Sequence, residues 1–322
     1  MSENLLEVKD LYVNYKIYEG ILKVLNGVNL TVKKKEKVGL IGESGCGKTT
    51  TMKAIMRILP DNALIPNGNI FYKGRDILKM SDDEIQKIRR ENISMIFQDP
   101  TAALNPVLTV GAQLMDVIKY STDEELTKRE IRELAIKALK DVALPDPERI
   151  LKNYPIMLSG GMRQRICIAM ALISAKELLI ADEPGTNLDV TIQDQILRLI
   201  GRLVEERGIS VILISHALGA VKGLVDKVYV MYAGDIVEMA PTEKLFSDPI
   251  HPYTQALFKT VPKLTGGGIP EAIKGRIPDY INPPKGCRFA PRCIHAMPIC
   301  MKEKPPLKNI EDEREVACFL YE

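Results

Sequence analysis

No stretch of this chain is long and apolar enough to cross a bilayer. A spanning helix needs about 18 or more consecutive apolar residues, and the best run, Ile166 to Ala175, stops at Lys176-Glu177. The N-terminus, Met1-Ser2-Glu3-Asn4, lacks the basic region and apolar core of a secretory signal. Together these absences lead one to expect a cytosolic chain. An excess of charge is missing too, with 44 Lys and Arg against 42 Asp and Glu in 322 residues, a formal net charge of +2. No polyanion-seeking surface is implied, and nucleic acid is not expected as the main partner. Tryptophan is absent, and with many Lys and Glu residues the composition leans toward the thermophile kind. Six cysteines in a cytosolic chain are not expected to form stable disulfides. Four of them, Cys287, Cys293, Cys300 and Cys318, crowd the C-terminal end.

What is present reads first as strands. Leu5–Val8, Leu11–Tyr15 and Val28–Val32 open the chain, the last two alternating apolar and polar as a half-buried sheet does. Val38-Gly39-Leu40-Ile41 is an unbroken apolar run, suited to a parallel strand buried on both faces. A helix is expected over Thr49–Leu59, closed by Pro60, and another over 81–90, opened by the capping box Ser81-x-x-Glu84. Strands fill the rest of 61–98. Beyond Leu104 the pattern turns helical: Ile131, Leu134, Ala135, Ala138, Leu139 and Val142 fall on one helical face that ends near Pro145. A strand at Leu178–Ala181, a helix over roughly 190–206 and a strand at Val211–Ile214 complete an alternation that argues for an α/β core with a parallel sheet. From Val261 onward, Gly266-Gly267-Gly268 and many prolines signal a linker and a loop-rich tail.

The chemistry concentrates at the carboxyl ends of the apolar strands. Gly42-Glu43-Ser44-Gly45-Cys46-Gly47-Lys48-Thr49 fits G-x-x-x-x-G-K-[ST], a loop whose glycines let backbone N–H groups turn around a phosphate at a helix N-terminus. Lys48 is expected to reach the β- and γ-phosphates, and the Thr49 hydroxyl, with Thr50 beside it, to serve Mg²⁺ and the phosphates. By chance alone the pattern arises in roughly one chain of this length in a hundred. Here it follows a buried strand and precedes a helix, the context that it requires. Asp182 and Glu183 end the strand at Leu178–Ala181, where α/β sites lie. Asp182 is expected to hold Mg²⁺ and Glu183 to act as general base, a role worth ~10²–10⁴-fold. Read alone, two acids at a strand end are more often a solvated end. His216, one of only three histidines, ends the strand at Val211–Ile214 after Ser215 and on its own would more often be structural. Gln98, after Phe97, can bind Mg²⁺ or the attacking water, although without further context it is an ordinary turn residue. Ser159-Gly160-Gly161 opens a helix and offers N–H donors to an anion.

The phosphate loop together with Leu158-Ser159-Gly160-Gly161-Met162-Arg163-Gln164-Arg165 resembles the ATP-binding cassette (ABC) ATPases over residues 5–245. Asp189-Val190-Thr191-Ile192-Gln193, His251-Pro252-Tyr253-Thr254 and Cys287-Arg288-Phe289-Ala290-Pro291-Arg292-Cys293 extend the resemblance to the ATP-binding subunits of dipeptide and oligopeptide importers. The resemblance implies a P-loop NTPase core with an N-terminal antiparallel β subdomain, an inserted helical subdomain at about 99–157, and a loop-rich extension over 251–322 following a nucleotide-binding domain over 1–250. It implies ATP and Mg²⁺ as ligands. His216 becomes the switch histidine, Gln98 the glutamine that couples nucleotide state to the transport partner, and Tyr15 the aromatic stacked on adenine, with Tyr18 as runner-up. Ser159, Gly160 and Gly161 would bind the γ-phosphate held by a second cassette, so a monomer is expected to be inactive. The partners implied are a second, different ATPase subunit, membrane permease subunits and, indirectly, an extracytoplasmic substrate-binding protein, with the chain on the cytoplasmic face of the membrane. Related systems carry oligosaccharides or nickel instead. A non-transport ABC protein acting on DNA or ribosomes is a rival, but such proteins resemble paired cassettes or cassettes split by coiled coils, and this chain shows one phosphate loop and no heptad run.

Three positions depart from the family's usual residues: Gly185 where Thr is common, Asn187 where a small residue is usual, and Ala217 where Asp normally follows the histidine. The tail cysteines are spaced C-x₅-C-x₆-C-x₁₇-C. They lack the close pairs of a zinc knuckle, and relatives with this tail resemble [4Fe–4S] binders. An iron–sulfur cluster is the leading expectation, with zinc and free thiols as alternatives and His295 as a possible substitute ligand. A tail that senses redox state is a further rival. Cys167 reads as core packing. Cys46, at a helix N-terminus, is expected to have a lowered thiol pKa and to be alkylated readily without nucleotide.

Overall fold

The first two expected strands are one. In the computed structural model, which describes residues 4–260, 273–311 and 313–321, β1 runs Asn4–Ile17 and pairs antiparallel with β2, Gly20–Lys33. Leu6 and Val8 are buried, and then Leu11 and Val13, a change of phase that a regular strand cannot make. The register supplies the reason: Val8 faces Leu30 and Leu11 faces Val28, so β1 carries one residue too many. This bulge, with Asp10 at φ 46, returns the apolar side chains to the same face.

The chain folds into two compact units. The first draws on residues 1–33, 38–79 and 216–322, the second on 34–37 and 80–215. In the first, β3 (Lys37–Ile41) leads through the phosphate loop into α1 (Lys48–Ile55). Arg57 at φ 51 stops the helix ahead of the Pro60 signal. Strands β4 (Ala63–Leu64), β5 (Asn69–Tyr72) and β6 (Arg75–Asp76) enlarge the antiparallel sheet of β1 and β2.

In the second unit, α2 (Asp82–Glu91) opens with the expected capping box of Ser81 and Glu84 and delivers β7 (Ile93–Ile96). Five helices follow: α3 (Pro100–Ala103), α4 (Val110–Tyr120), α5 (Lys128–Asp141), α6 (Pro147–Ile150) and α7 (Gly160–Ser174). The stripe of α5 buries Ala135, Ala138 and Leu139, whereas Leu134, at its edge, is 41% exposed. Next come β8 (Leu178–Asp182), α8 (Val190–Arg207), closed by Gly208 at φ 62, and β9 (Ser210–Ile214). Strands β7, β8 and β9 lie side by side and parallel, and every residue of β8 and β9 is buried, as their unbroken apolar runs require.

The chain then returns to the first unit with α9 (Leu218–Leu224), the hairpin of β10 (Lys227–Tyr232) and β11 (Asp235–Pro241), α10 (Thr242–Ser247) and α11 (Pro252–Lys259). Strand β10 runs parallel to β3. The expected linker at Gly266–Gly268 lies outside the described residues. Among its described residues the loop-rich tail also carries short regular elements. After α12 (Pro298–Lys302), β12 (Lys308–Glu311) pairs with β13 (Arg314–Val316), which pairs with β11.

A buried ion pair anchors that addition. Glu238 is 0% exposed and Arg314 2%. Arg314 Nη2 donates to Glu238 Oε1 at 3.2 Å, while Arg314 Nη1 reaches Asp248 and Glu311, both at 3.3 Å. The same carboxylate accepts the N–H groups of Ile250, at 3.0 Å, and His251, at 2.9 Å. Complete burial holds His251 neutral down to about 3, and its Nδ1 caps α11 by accepting the Tyr253 N–H at 3.0 Å.

Arg314→Met should strand the Glu238 charge and cost ~3–5 kcal/mol in denaturant unfolding, with Glu238→Gln in the same chain recovering part of the loss. For His251, the unfolded chain takes up a proton near 6.5 and the folded one only near 3, so the unfolded state binds more protons between them. Stability should therefore fall as pH drops from about 6.5 toward 3, by up to ~1.4 kcal/mol per unit. His251→Asn, less stable throughout, should show a shallower slope above the carboxylate range.

Candidate nucleotide site

In the first unit the phosphate loop is held in a shape open to few residues. Gly42 adopts φ +153, and a Cβ there would lie 2.1 Å from the Met231 carbonyl. Gly45 and Gly47 follow with φ +79 and +111, and a Cβ at Gly45 would meet nothing within 4 Å, so the loop is open at that point. Lys48 is buried, and its ammonium donates to the carbonyls of Gly42, at 2.8 Å, and Glu43, at 3.0 Å. A buried ammonium held by backbone carbonyls at the head of the loop suits an anion such as a triphosphate, and this donor set fits ATP. Ser44 Oγ lies 3.5 Å from His216 Nε2, so the structure brings the predicted histidine to the loop. Tyr15 reaches the same helix, its hydroxyl donating to Thr50 Oγ1 at 3.3 Å. Tyr18, the runner-up, is 102% exposed.

In the second unit, Asp182 and Glu183 are both buried at the end of β8. Glu183 holds φ 47, unusual for a residue with a side chain, and its N–H donates to the Ile214 carbonyl at 3.0 Å. Two donors converge on Glu183 Oε2: Gln98 Nε2 at 3.0 Å and Thr186 Oγ1 at 3.1 Å. Gln98 and Glu183 thus meet directly. Ser159 caps α7 by accepting the Met162 N–H at 3.3 Å. The two glycines after it have a packing reason beyond bare N–H groups. A Cβ at Gly160 would lie 3.0 Å from Leu188 Cδ2, and one at Gly161 3.1 Å from Ile192 Cγ2.

Two of the three family departures gain local accounts. A Cβ at Gly185 would lie 2.9 Å from Gln193 Cγ, a close approach that glycine permits. Ala217 occupies the N-cap of α9 and supplies no side-chain cap there. Nothing in the structure explains Asn187.

The cysteine expectations need correction. Among the described residues no group of three or more His, Cys, Asp or Glu side chains could hold a metal ion. The iron–sulfur reading is therefore withdrawn, and zinc with it. Cys287, Cys293, Cys300 and Cys318 border a cavity of about 20 Å³ with Phe289 and Leu320, room for about one water and far too little for a cluster. Burial pushes the Cys287 thiol up to about 11 and raises Cys293 and Cys318. All six cysteines are free. Cys46 also departs from expectation. It is 0% exposed, and burial raises its thiol against the opposing pull of Lys48. Cys167 is buried and pushed up to about 12.

Four residues around the loop were missed as site residues. Glu43 is the loop's one acid. Tyr253 and Arg292 stood out only as marks of family resemblance, and Tyr280 not at all. The Glu43 N–H donates to the Tyr253 hydroxyl at 2.8 Å, and the Tyr280 hydroxyl donates to the Gly45 carbonyl at 2.7 Å. Arg292 Nη1 and Nη2 grip the two Glu43 oxygens at 2.7 and 3.1 Å. Only an acid in a loop meant for anions hinted that a distant cation was required.

Iodoacetamide at neutral pH should leave Cys46 unmodified in the folded protein with or without MgATP, and label it after denaturation. Peptide mass spectrometry reads this directly, and rapid nucleotide-sensitive labelling of native protein would contradict the burial.

Comparison with known proteins gives these features a family. The ABC transporter model matches residues 25–186, and the oligopeptide/dipeptide transporter C-terminal region matches 237–300. The chain is 45% identical to a probable peptide ABC transporter ATP-binding protein of Sinorhizobium fredii, covering 99% of this chain and 95% of that protein. It is 44% identical to the dipeptide transport ATP-binding protein DppD of Bacillus subtilis, with coverage of 99% and 95%. With the oligopeptide transport ATP-binding protein OppD of Escherichia coli it shares 43%, with coverage of 99% and 94%. Among solved structures, a dimeric ATP-binding cassette in a post-hydrolysis state bound to ADP and phosphate matches with a TM-score of 0.66 and 28% identity, covering 74% of this chain and 98% of that one. An α/β core with a phosphate loop, a Ser-Gly-Gly helix start and a peptide-transporter tail thus places this chain in the ABC transporter ATP-binding protein family, among the ATPases of the oligopeptide/dipeptide group.

Proposed function

We propose that this ATPase energises the import of di- and oligopeptides, working as a nucleotide-sandwich dimer with a second, different cassette on a membrane permease. The observation that carries the reading is the peptide-transporter region at 237–300, which accompanies the cassette in one chain and is joined by relatives named for peptide transport over nearly the full length. No helix among the described residues is long and apolar enough to cross a membrane, which accords with a subunit bound peripherally at the cytoplasmic face. In this reading residues 1–250 form the nucleotide-binding domain, with helices inserted at about 99–157, and 251–322 form the importer's extension. An extracytoplasmic binding protein delivers the peptide to the permease.

The chain's own residues divide the work. Backbone groups of Gly42–Gly47 and the Lys48 ammonium hold the phosphates, while Tyr15 stacks on adenine and Thr50 flanks the site. We assign Mg²⁺ to Thr49, Asp182 and Gln98. When bound, the ion neutralises charge on the phosphates. Glu183 takes a proton from water as the water oxygen bonds to the γ-phosphorus and the bond to the ADP oxygen breaks. The Gln98 amide and Thr186 hydroxyl, both on Oε2, fix the orientation of that carboxylate. His216, beside Ser44, donates to the transferred phosphate. Ser159, Gly160 and Gly161 present the N-terminus of α7 to the γ-phosphate held by the partner cassette, where N–H groups and the helix dipole favour an anion.

Glu183→Gln should leave MgATP binding near that of the parent while phosphate release falls by ~10²–10⁴-fold, and peptide uptake by vesicles carrying the assembled importer should stop. Phosphate release at the parental rate would remove Glu183 from the role of base.

A further inference from the structure

A negative charge in an anion-binding loop is a liability, and here it is countered from far along the chain. Glu43 is the second residue of the phosphate loop, and the side chain that grips it, Arg292, belongs to the Cys287–Cys293 segment of the tail. Arg292 is almost fully buried while Glu43 is about a quarter exposed. The other acceptors that the guanidinium meets are neutral. Nε donates to the Lys274 carbonyl at 2.9 Å, Nη2 to the Ile273 carbonyl at 3.1 Å and Nη1 to the Tyr232 hydroxyl at 3.2 Å, with the guanidinium 5.6 Å from the Tyr232 ring centre. Five donor contacts thus orient one fork onto one carboxylate. Burial alone would lower the Arg292 pKa, but its bonds to Glu43 carry it higher.

Two further contacts from beyond residue 250 reach the same loop. The Tyr253 hydroxyl accepts the Glu43 N–H, and the Tyr280 hydroxyl holds the Gly45 carbonyl. Tyr253 is locked in an aromatic cluster, 4.6 Å from Tyr232 and 5.4 Å from Phe289 between ring centres. Tyr280 lies under Arg288, whose Nη2 donates to the Lys23 carbonyl at 3.0 Å and whose Nη1 donates to the Ala233 carbonyl. Residues 43 to 45 are therefore fastened at three points by the C-terminal region.

We propose that Arg292 is a positioning residue of the nucleotide site: by neutralising Glu43 and drawing its carboxylate aside, it lets the phosphate loop accept a triphosphate, with Tyr253 and Tyr280 fixing the backbone on either side. The tail thereby sets the affinity of the loop for nucleotide. This rests on the phosphate loop's binding ATP, as argued above.

The test is MgATP binding by titration calorimetry, with the KM and kcat of phosphate release, on the full-length protein and its variants. Arg292→Ala should weaken MgATP binding and raise KM by about tenfold or more, the scale of one charge-assisted pair, with turnover at saturating ATP changed much less. Adding Glu43→Gln to Arg292→Ala should restore most of the lost affinity, because the unpaired charge is gone. Tyr280→Phe, which removes one hydroxyl and leaves the ring under Arg288, should weaken binding less than Arg292→Ala. Affinity unchanged in folded Arg292→Ala, or a double variant that binds no better than Arg292→Ala, would overturn the proposal. Lys48→Ala separates the two readings. If it binds MgATP like the parent, the assignment of the loop itself fails; if it loses binding while Arg292→Ala does not, only the role of Arg292 fails.

Discussion

A loop that gathers anions is built from positive ends: backbone N–H groups, a helix start and a buried ammonium. In this chain the same loop carries Glu43, and much of the first unit can be read as the answer to that conflict. Arg292 meets the carboxylate, Tyr232 supports Arg292 from below, and Phe289 and Tyr253 pack around Tyr232. Lys48, which would otherwise compete for Glu43, instead donates to backbone carbonyls. Two cations and one anion thus meet at one loop, and the guanidinium rather than the ammonium takes the carboxylate. A buried charge left alone costs several kcal/mol, so these groups cannot be rearranged one at a time.

The same rule governs the tail. Glu238 and Arg314 bring β13 onto β11, and the Glu238 carboxylate also takes the N–H groups at the turn into α11. Tyr253, whose hydroxyl reaches the phosphate loop, sits on that helix. One fully buried carboxylate therefore stands behind both the added strands and the loop contact.

Much of this was legible in the sequence, and the misses have physical causes. Val38–Ile41, Leu178–Ala181 and Val211–Ile214 were readable because strands buried on both faces must be apolar at every position. Ser81 and Glu84 were readable because a capping box is local. The β1 bulge was hidden, since alternation on either side looks the same as two strands with a break. Strands β12 and β13 were hidden because their support is Arg314 pairing with Glu238, and no local pattern records a partner so far away. The nucleotide site divides in the same way. The phosphate-loop motif announces Lys48, whereas Arg292, Tyr253 and Tyr280 reach that loop through the fold alone. Cys46 shows the opposite failure. A helix N-terminus lowers a thiol pKa, but burial outweighs it here. The spacing of the tail cysteines likewise invited a metal where the packed side chains leave room for about one water.

Gly160 and Gly161 touch Leu188 and Ile192 at 3.0 and 3.1 Å from where their first side-chain carbon would stand. Gly185 stands in the same relation to Gln193. The start of α7 and the segment from the β8 turn into α8 are therefore one fitted surface with no slack. Across descendants of this chain, a larger residue on one side must be met by a smaller one on the other. The two segments are bound to diverge in step, as a lock and its key are recut together.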